Sequence, residues 1–541
     1  HTHSPRPFRP HAPLFLRSYR SLLVFSATMS SLLTYESIGV ILGSSLADPS
    51  GANLMPIVAE DDPPCLLPIA NCPLLLHAVR LLRHSATSLI VVCLAQRHAT
   101  PMNCQMITEL LQRSTDNSTE MPEADDRGTE PVRARLVVVP DAEDDLGAVC
   151  SALDALTVEA GSEGSTPTSV TSTEVQHVRV LEHTDESDAT GYRLSSGALI
   201  TVLHCDTIIG GIFRGKGDIV SPLLDVMSQA RSSEAGLTVC LGQLAQQPPA
   251  NPPAIPGGAL PSQAKPVHDK RSGYHGFPAL ISGLTGGAAP RVVLWRPMNR
   301  RRGTDLSVRK SVLRTFPKLN VSAAYVDTHV YVFSVRILRL LQGARKREGM
   351  SLRSFPLDVV PLVVRAQSSR RAARLLGLRR NEVPLVAAVV AKTHLIKVSS
   401  IPSFAQATRD LARVPPHLAW YTPAEPPGGQ KGKAYVATSA TVDPKTSIGA
   451  ETIVGANTSI GTMCTVKKSV FGAGCTVDAG ARIVNSILLD GVAVGPDVTV
   501  TNSILCAGST VGAGATINNA ILARDVSVDG DTVVDGEARI I

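Results

Sequence analysis

Aliphatic side chains recur with a fixed beat through the C-terminal part of the chain. From Thr441 onward Val442, Ile448, Val454, Ile460 and Val466 follow one another every six residues. The beat then changes: Val470, Val477, Ile483, Ile487, Val494, Val500, Ile504, Val511, Ile517, Ile521, Val528, Val534 and Ile540 follow steps of 4, 7 and 6, a 17-residue period. Three aliphatic positions per period predict three short strands per coil, which is a parallel β-helix of hexapeptide repeats with five to six coils. Gly follows the aliphatic position directly in Ile448-Gly449, Val454-Gly455, Ile460-Gly461, Val494-Gly495 and Val511-Gly512, where a corner with positive φ is expected. Asn485-Ser486-Ile487-Leu488 returns as Asn502-Ser503-Ile504-Leu505 and loosely as Asn519-Ala520-Ile521-Leu522. A Val-rich sandwich of hairpins would not hold this register.

Upstream the pattern is different. Apolar runs at Ile38–Leu42, Leu89–Leu94, Leu136–Val139, Leu199–Leu203, Leu237–Leu241 and Val330–Phe333 read as buried strands. Helical periodicity separates them, as in Leu74–Arg83 and Val335–Leu341, so a mostly parallel sheet covered on both faces is expected. The domain organisation that follows is an N-terminal extension over 1–35, an α/β domain over 36–400, a linker over 401–435 and the β-helix over 436–541. Polar, Gly- and Pro-rich stretches near 114–133, 159–193 and 246–290 read as disordered insertions. The first 28 residues carry four arginines, three histidines and no acid. They read either as a transit peptide or as sequence upstream of a start at Met29.

Composition narrows the class. Of 541 residues 44% are hydrophobic and 18% charged, which excludes a disordered chain and a disulfide-stapled miniprotein. Net charge is +6, but residues 436–541 hold ten acidic and six basic side chains, so the basic excess is all upstream. Aromatic residues make up 4%, few for a protein that stacks nucleic-acid bases, and no DNA partner is expected. The ten cysteines never form C-x-x-C, so neither a zinc site nor any other metal is expected. No apolar run reaches the ~20 residues of a membrane helix, and no membrane partner is expected.

The window from Gly39 to Leu76 carries the chemistry. The strand Val40-Ile41-Leu42 reaches Gly43, and later comes Pro63-Pro64-Cys65-Leu66-Leu67-Pro68-Ile69-Ala70-Asn71-Cys72-Pro73-Leu74-Leu75. This resembles the nucleotidyltransferase family of sugar-phosphate pyrophosphorylases, which open with a strand, a Gly-rich turn, then Pro-Lys-Pro, a Pro and Asn-Lys-Pro. The proline scaffold and Asn71 match. The two lysine positions fall on Pro64 and Cys72, and the turn reads Gly43-Ser44-Ser45-Leu46-Ala47-Asp48. Phosphoryl transfer needs cations that neutralise developing charge, so a dismantled, vestigial nucleotide site is expected near Gly43, Asn71, Asp206 and Asp327. The resemblance places Asp206 where the family carries a magnesium-binding Asp, and Asp327 in a second family-like strand. No basic phosphate binder accompanies them, so they read as scaffold carboxylates, with no catalytic residue and no cofactor.

An α/β domain of this Rossmann-like kind followed by a left-handed β-helix is also similar to the gamma and epsilon subunits of eukaryotic initiation factor 2B. Ser311–Asn320, Tyr325–Tyr331 and Ser351–Arg365 look like segments of the gamma kind. Epsilon carries a further helical domain after its β-helix, whereas this sequence ends at Ile541, so the gamma kind is expected. What the resemblance implies is a non-catalytic cytosolic subunit of the guanine-nucleotide exchange factor in translation initiation. Its partners would be the epsilon subunit, the other subunits of the complex and the substrate, initiation factor 2. Arg300, Arg301 and Arg302 are candidates for an acidic partner surface, as are Arg370, Arg371, Arg374, Arg379 and Arg380, and Ile540 and Ile541 for a docked coil end. A sugar-nucleotide pyrophosphorylase is the enzyme alternative. A coenzyme A-dependent acyltransferase is disfavoured because no His follows His417.

Overall fold

The computed structural model describes residues 33–43, 54–58, 61–83, 85, 87–115, 133–141, 144–156, 179–181, 192–209, 212–214, 218–233, 235–243, 276–282, 291–297, 308–315, 320–321, 325–346, 352–379, 382, 384–391, 395–398, 400–413, 434–536 and 539–540. Among them a mixed sheet of eleven strands organises the first domain. Its centre is parallel: Leu33–Leu42 lies between Tyr192–His204 and Leu89–Ala95, and Leu89–Ala95 pairs on with Arg133–Val139. Tyr325–Ser334 runs antiparallel between Tyr192–His204 and Leu237–Gln243, and the latter pairs in parallel with Val386–Ala391.

Alternation along these strands fills two cores, one on each face of the sheet. Ile38, Val40, Leu89, Val91 and Cys93 pack to one side, while Ile41, Ile90, Val92 and Leu94 pack to the other. The helix Leu74–Arg83 covers the second face so closely that a Cβ on Gly39 would lie 2.6 Å from Leu82 Cδ1. Its last turn carries Arg80 and Arg83, cations placed where the helix dipole favours them.

Some expected boundaries move. Residues 33–35, assigned to the N-terminal extension, already belong to the first strand. Arg179–Leu181 and Gly276–Ser282, inside expected insertions, are strands of the sheet, and Ser114 and Thr115 end the helix Pro101–Thr115. The expected linker begins with a helix, Ile401–Arg413, with Phe404, Ala407 and Leu411 buried. The rest of the insertions, 1–32 and 414–433 lie outside the described residues.

From residue 434 the chain coils through three parallel sheets of seven, six and six described strands. Successive coils pair 17 residues apart, as in Ile460↔Val477 and Val494↔Val511, except at the two ends, where Val442 meets Ile460 and Leu522 meets Ile540 at 18. The interior holds Val454, Ile460, Val466, Phe471, Val477, Ile483, Leu488, Val494 and Val500 and their later equivalents. Those positions step by 6, 6 and 5, not by 4, 7 and 6. The expected count went astray on one sheet, whose strands are apolar on both faces: in Val470-Phe471, Ile487-Leu488 and Ile504-Leu505 the second residue points inward. The first residue points out and joins Ile453 in a stripe buried against the α/β domain.

The glycines after the aliphatic positions also act differently from expectation. They do not have positive φ; a Cβ on Gly455 would sit 2.3 Å from Gly472 O, so they let neighbouring coils touch. The left-handed corners fall at other positions, on polar residues such as Asn485, Asn502 and Asn519, with φ of 53, 53 and 51°, and on other glycines such as Gly474, Gly491 and Gly508. These asparagines form a ladder, Asn485 Nδ2 donating to Asn502 Oδ1 at 2.6 Å and Asn502 Nδ2 to Asn519 Oδ1 at 3.3 Å. Beside it Ser469, Ser486 and Ser503 each accept the backbone N–H of the residue 17 positions on. That accounts for the repeated Asn-Ser.

The two faces of one sheet should respond differently to truncation. Leu488→Ala opens a cavity inside the coil and should cost about 3 kcal/mol of β-helix stability. Ile487→Ala should leave the β-helix melting point in place and split a joint thermal transition into two, as docking weakens. Calorimetry of both variants checks this; the same profile for each would contradict the assignment of faces.

Candidate functional site

Asp206 follows the strand Tyr192–His204 and is wholly buried, as are His204 and, nearly, His329 and Asp327. His329 stands at a break in the pairing of Tyr325–Ser334 with Leu237–Gln243, with φ of 55°, a left-handed conformation unusual in a strand. The kink sets its imidazole between the two carboxylates: Nδ1 lies 3.8 Å from Asp206 Oδ1 and Nε2 lies 3.6 Å from Asp327 Oδ2. Lys397 Nζ reaches His329 Nε2 at 3.3 Å. Asp327 accepts from the backbone N–H of His329 at 2.9 Å and from the Tyr331 hydroxyl at 2.5 Å. The His204 ring meets that of His329 edge-on, with centroids 5.5 Å apart.

Burial alone would raise the pKa of Asp206, but the His329 imidazole, the Lys397 ammonium and His204 more than offset it and hold the carboxyl below the usual carboxylate range. Burial lowers the pKa of His204, against the pull of Asp145, whose Oδ2 lies 3.8 Å from Nε2. Asp206 Oδ2 and both ring nitrogens of His204 make no hydrogen bond. A divalent cation shared by Asp206 and Asp327 does not fit, because His329 occupies the space between them and Asp327 is committed to two donors. Among the described residues no group of metal-ligating side chains has the geometry of a metal site. The cluster is a closed polar node in which the cationic side chain is protein-borne.

The node is tied to the junction between domains. Lys397 ends the strand Leu395–Lys397, which pairs with Thr207–Ile209, and Val398 N donates to Asp206 O at 2.8 Å. A few residues later begins Ile401–Arg413, whose buried side chains share one cluster with Ile453, Val470, Ile487 and Ile504 of the β-helix. Arg409 Nη2 donates to Asn485 O at 3.4 Å.

Gly43 and Asn71 lie apart in purpose. Gly43 O accepts from Cys65 N at 3.2 Å and from Cys205 Sγ at 3.6 Å. Burial pushes the Cys65 thiol up to about 12 and raises that of Cys205 well above its ordinary value, so this turn is lined by uncharged sulfur. Asn71 sits in a tight hairpin, Pro68–Ile69 against Cys72–Pro73, with φ of 50° at Ala70 and 65° at Asn71, both positive as a type I′ turn requires. Its side chain donates to Phe471 O at 2.7 Å and thereby grips the β-helix. Pro64 and Cys72, at the two lysine positions of the resembled family, are buried. Ser44–Asp48, Arg300, Arg301, Arg302 and Ile541 lie outside the described residues; of Ile540 the backbone is described, in a strand paired with Ile521–Leu522.

Sequence reasoning singled out Asp206, Asp327, Gly43 and Asn71 but gave no role to His204, His329 or Lys397. The available signal was polar residues interrupting apolar runs, as in Val202-Leu203-His204 and Thr328-His329-Val330. Nothing in the sequence marked Lys397, which arrives from a separate strand.

Residues 431–534 match the family model described as EIF2B subunit epsilon LbH domain. The C-terminal domain is a left-handed β-helix of the initiation factor 2B type. The match is confined to that domain, names the epsilon subunit's β-helix, and gives the gamma kind no specific support. A comparison with curated proteins returned no match.

Two outcomes test the buried polar groups of the α/β domain. Asp206→Asn removes the buried carboxylate that faces His329 and balances part of the node's positive charge, and should cost about 3 kcal/mol in urea unfolding. Acidification tests His77, buried on the helix Leu74–Arg83. Burial takes His77 down to about 3, and a folded pKa below the unfolded value of ~6.5 gives stability that is complete above pH ~6.5 and is lost as pH falls toward 3. His77→Phe should therefore flatten the acid limb of stability against pH in that window; an unchanged slope would contradict the burial.

Proposed function

We propose that this chain is a non-catalytic subunit of the initiation factor 2B exchange complex, of the gamma kind, pairing with an epsilon subunit to promote GDP/GTP exchange on initiation factor 2 in the cytosol. The observation that carries the reading is the β-helix of that type, docked on a transferase-like α/β domain through the very hairpin that bears Asn71. The gamma assignment rests on the resemblance in Ser311–Asn320, Tyr325–Tyr331 and Ser351–Arg365.

The non-catalytic reading has support in the chemistry of the site. Each lysine position of the resembled pyrophosphorylases carries a buried uncharged residue, and the carboxylates Asp206 and Asp327 are held by His329 and Lys397. A lost transition-state donor costs ~3 kcal/mol in comparable sites, so two together would slow phosphoryl transfer by several orders of magnitude.

Affinity capture of the chain followed by mass spectrometry should recover a separate epsilon-like subunit together with the other exchange-factor subunits. Recovery of a gamma-like partner in its place would overturn the gamma assignment. Purified protein with magnesium, nucleoside triphosphates and sugar phosphates should show no pyrophosphate exchange; turnover would favour the pyrophosphorylase alternative.

A further inference from the structure

The sequence carries two basic clusters far apart in the chain, and the fold brings parts of both together. Val308 and Val312, flanking and within the short helix Lys310–Thr315, pack on Val293 and Leu294 of the strand Arg291–Pro297. The helix Val360–Ala366 lies against the same strand, and Gln367 just beyond it donates from Nε2 to Val292 O at 2.7 Å. The helix Arg370–Leu375 follows directly. Arg365 therefore feels the charges of both Arg309 and Arg371, which add to desolvation in lowering its pKa.

Arg309, Lys310, Arg314, Arg365, Arg370 and Arg371 are all exposed, and no described carboxylate pairs with any of them. This arrangement works against the fold. Like charges within reach repel, and Arg370 and Arg371 occupy the first turn of their helix, where the dipole disfavours cations. Two leucines stand among the cations: Leu313 is 51% exposed and Leu375 38%.

We infer that this patch is a docking surface for an acidic polypeptide segment that carries apolar anchors. Arg guanidinium forks match carboxylates two bonds at a time, and the interleaved leucines offer apolar contact that a purely polyanionic ligand cannot use. Single-stranded nucleic acid is the lesser fit, since the exposed apolar side chains of the patch are aliphatic and give bases no ring on which to stack. The inference stands on the patch alone and is independent of the exchange-factor reading.

Fluorescence anisotropy of the full chain tests it with three labelled probes of matched charge: a peptide of Glu and Leu, polyglutamate, and oligouridylate. The Glu/Leu peptide should bind most tightly, and binding should weaken as salt rises past ~0.1 M, where the Debye length falls below ~10 Å. Arg309→Gln, Arg365→Gln and Arg371→Gln combined should weaken it by about tenfold or more. Leu313→Ser should erase its advantage over polyglutamate. The triple variant should melt no lower than the parent, because it removes repulsion and no ion pair among the described residues. Oligouridylate binding at least as tightly through the same arginines, indifferent to Leu313→Ser, would overturn the inference in favour of nucleic acid. Equal binding by parent and triple variant, or a sharply lower melting point for the latter, would overturn it outright.

Discussion

One apolar stripe holds the molecule together. Ile453, Val470, Ile487 and Ile504 stand in register on the outside of the β-helix, one per coil, and are buried beneath Ile401–Arg413 and the hairpin that carries Asn71. Each such side chain is worth about 2 kcal/mol when taken from water, and together they outweigh the polar contacts at the same junction. The exposed pair of Arg524 and Asp62, 2.6 Å apart, contributes little beside them. Because the stripe repeats with the coil, the α/β domain meets a flat, rigid ruler.

That junction gives the proline-rich hairpin a structural role. Asn71 holds a β-helix carbonyl, and Cys72 lies buried next to it. The polar node at Asp206 is linked to the junction by a few residues, through Lys397, Val398 and the helix beyond. The basic surface near Arg365 differs, since no described carboxylate pairs with Arg309, Arg365 or Arg371.

Much of the fold was legible in the residues. The central strands and helices Leu74–Arg83 and Val335–Arg345 announced themselves through apolar runs and helical spacing. Arg179–Leu181 did not, because a short strand at the sheet edge needs little apolar patterning of its own, and Gly276–Ser282 did not, because it stands inside a polar, Gly- and Pro-rich stretch. Of the site, Asp206 and Asp327 could be marked by their positions at strand ends. His329 and Lys397 could not, because a kinked backbone and a distant strand bring them together.

The amino-acid sequence by itself determined the β-helix and its 17-residue period, since a repeat of aliphatic and small residues at fixed spacing admits hardly any other closed hydrogen-bonded solution. It did not determine which residue of each Ile-Leu pair faces inward. Both are apolar, and an alternating strand hides one side chain on each face whatever their order. Only the packing of a second domain on the outer face decided that Ile487 and its equivalents belong to the junction and Leu488 and its equivalents to the core. The same holds for Arg309, Arg365 and Arg371, whose convergence depends on which strand their helices cover.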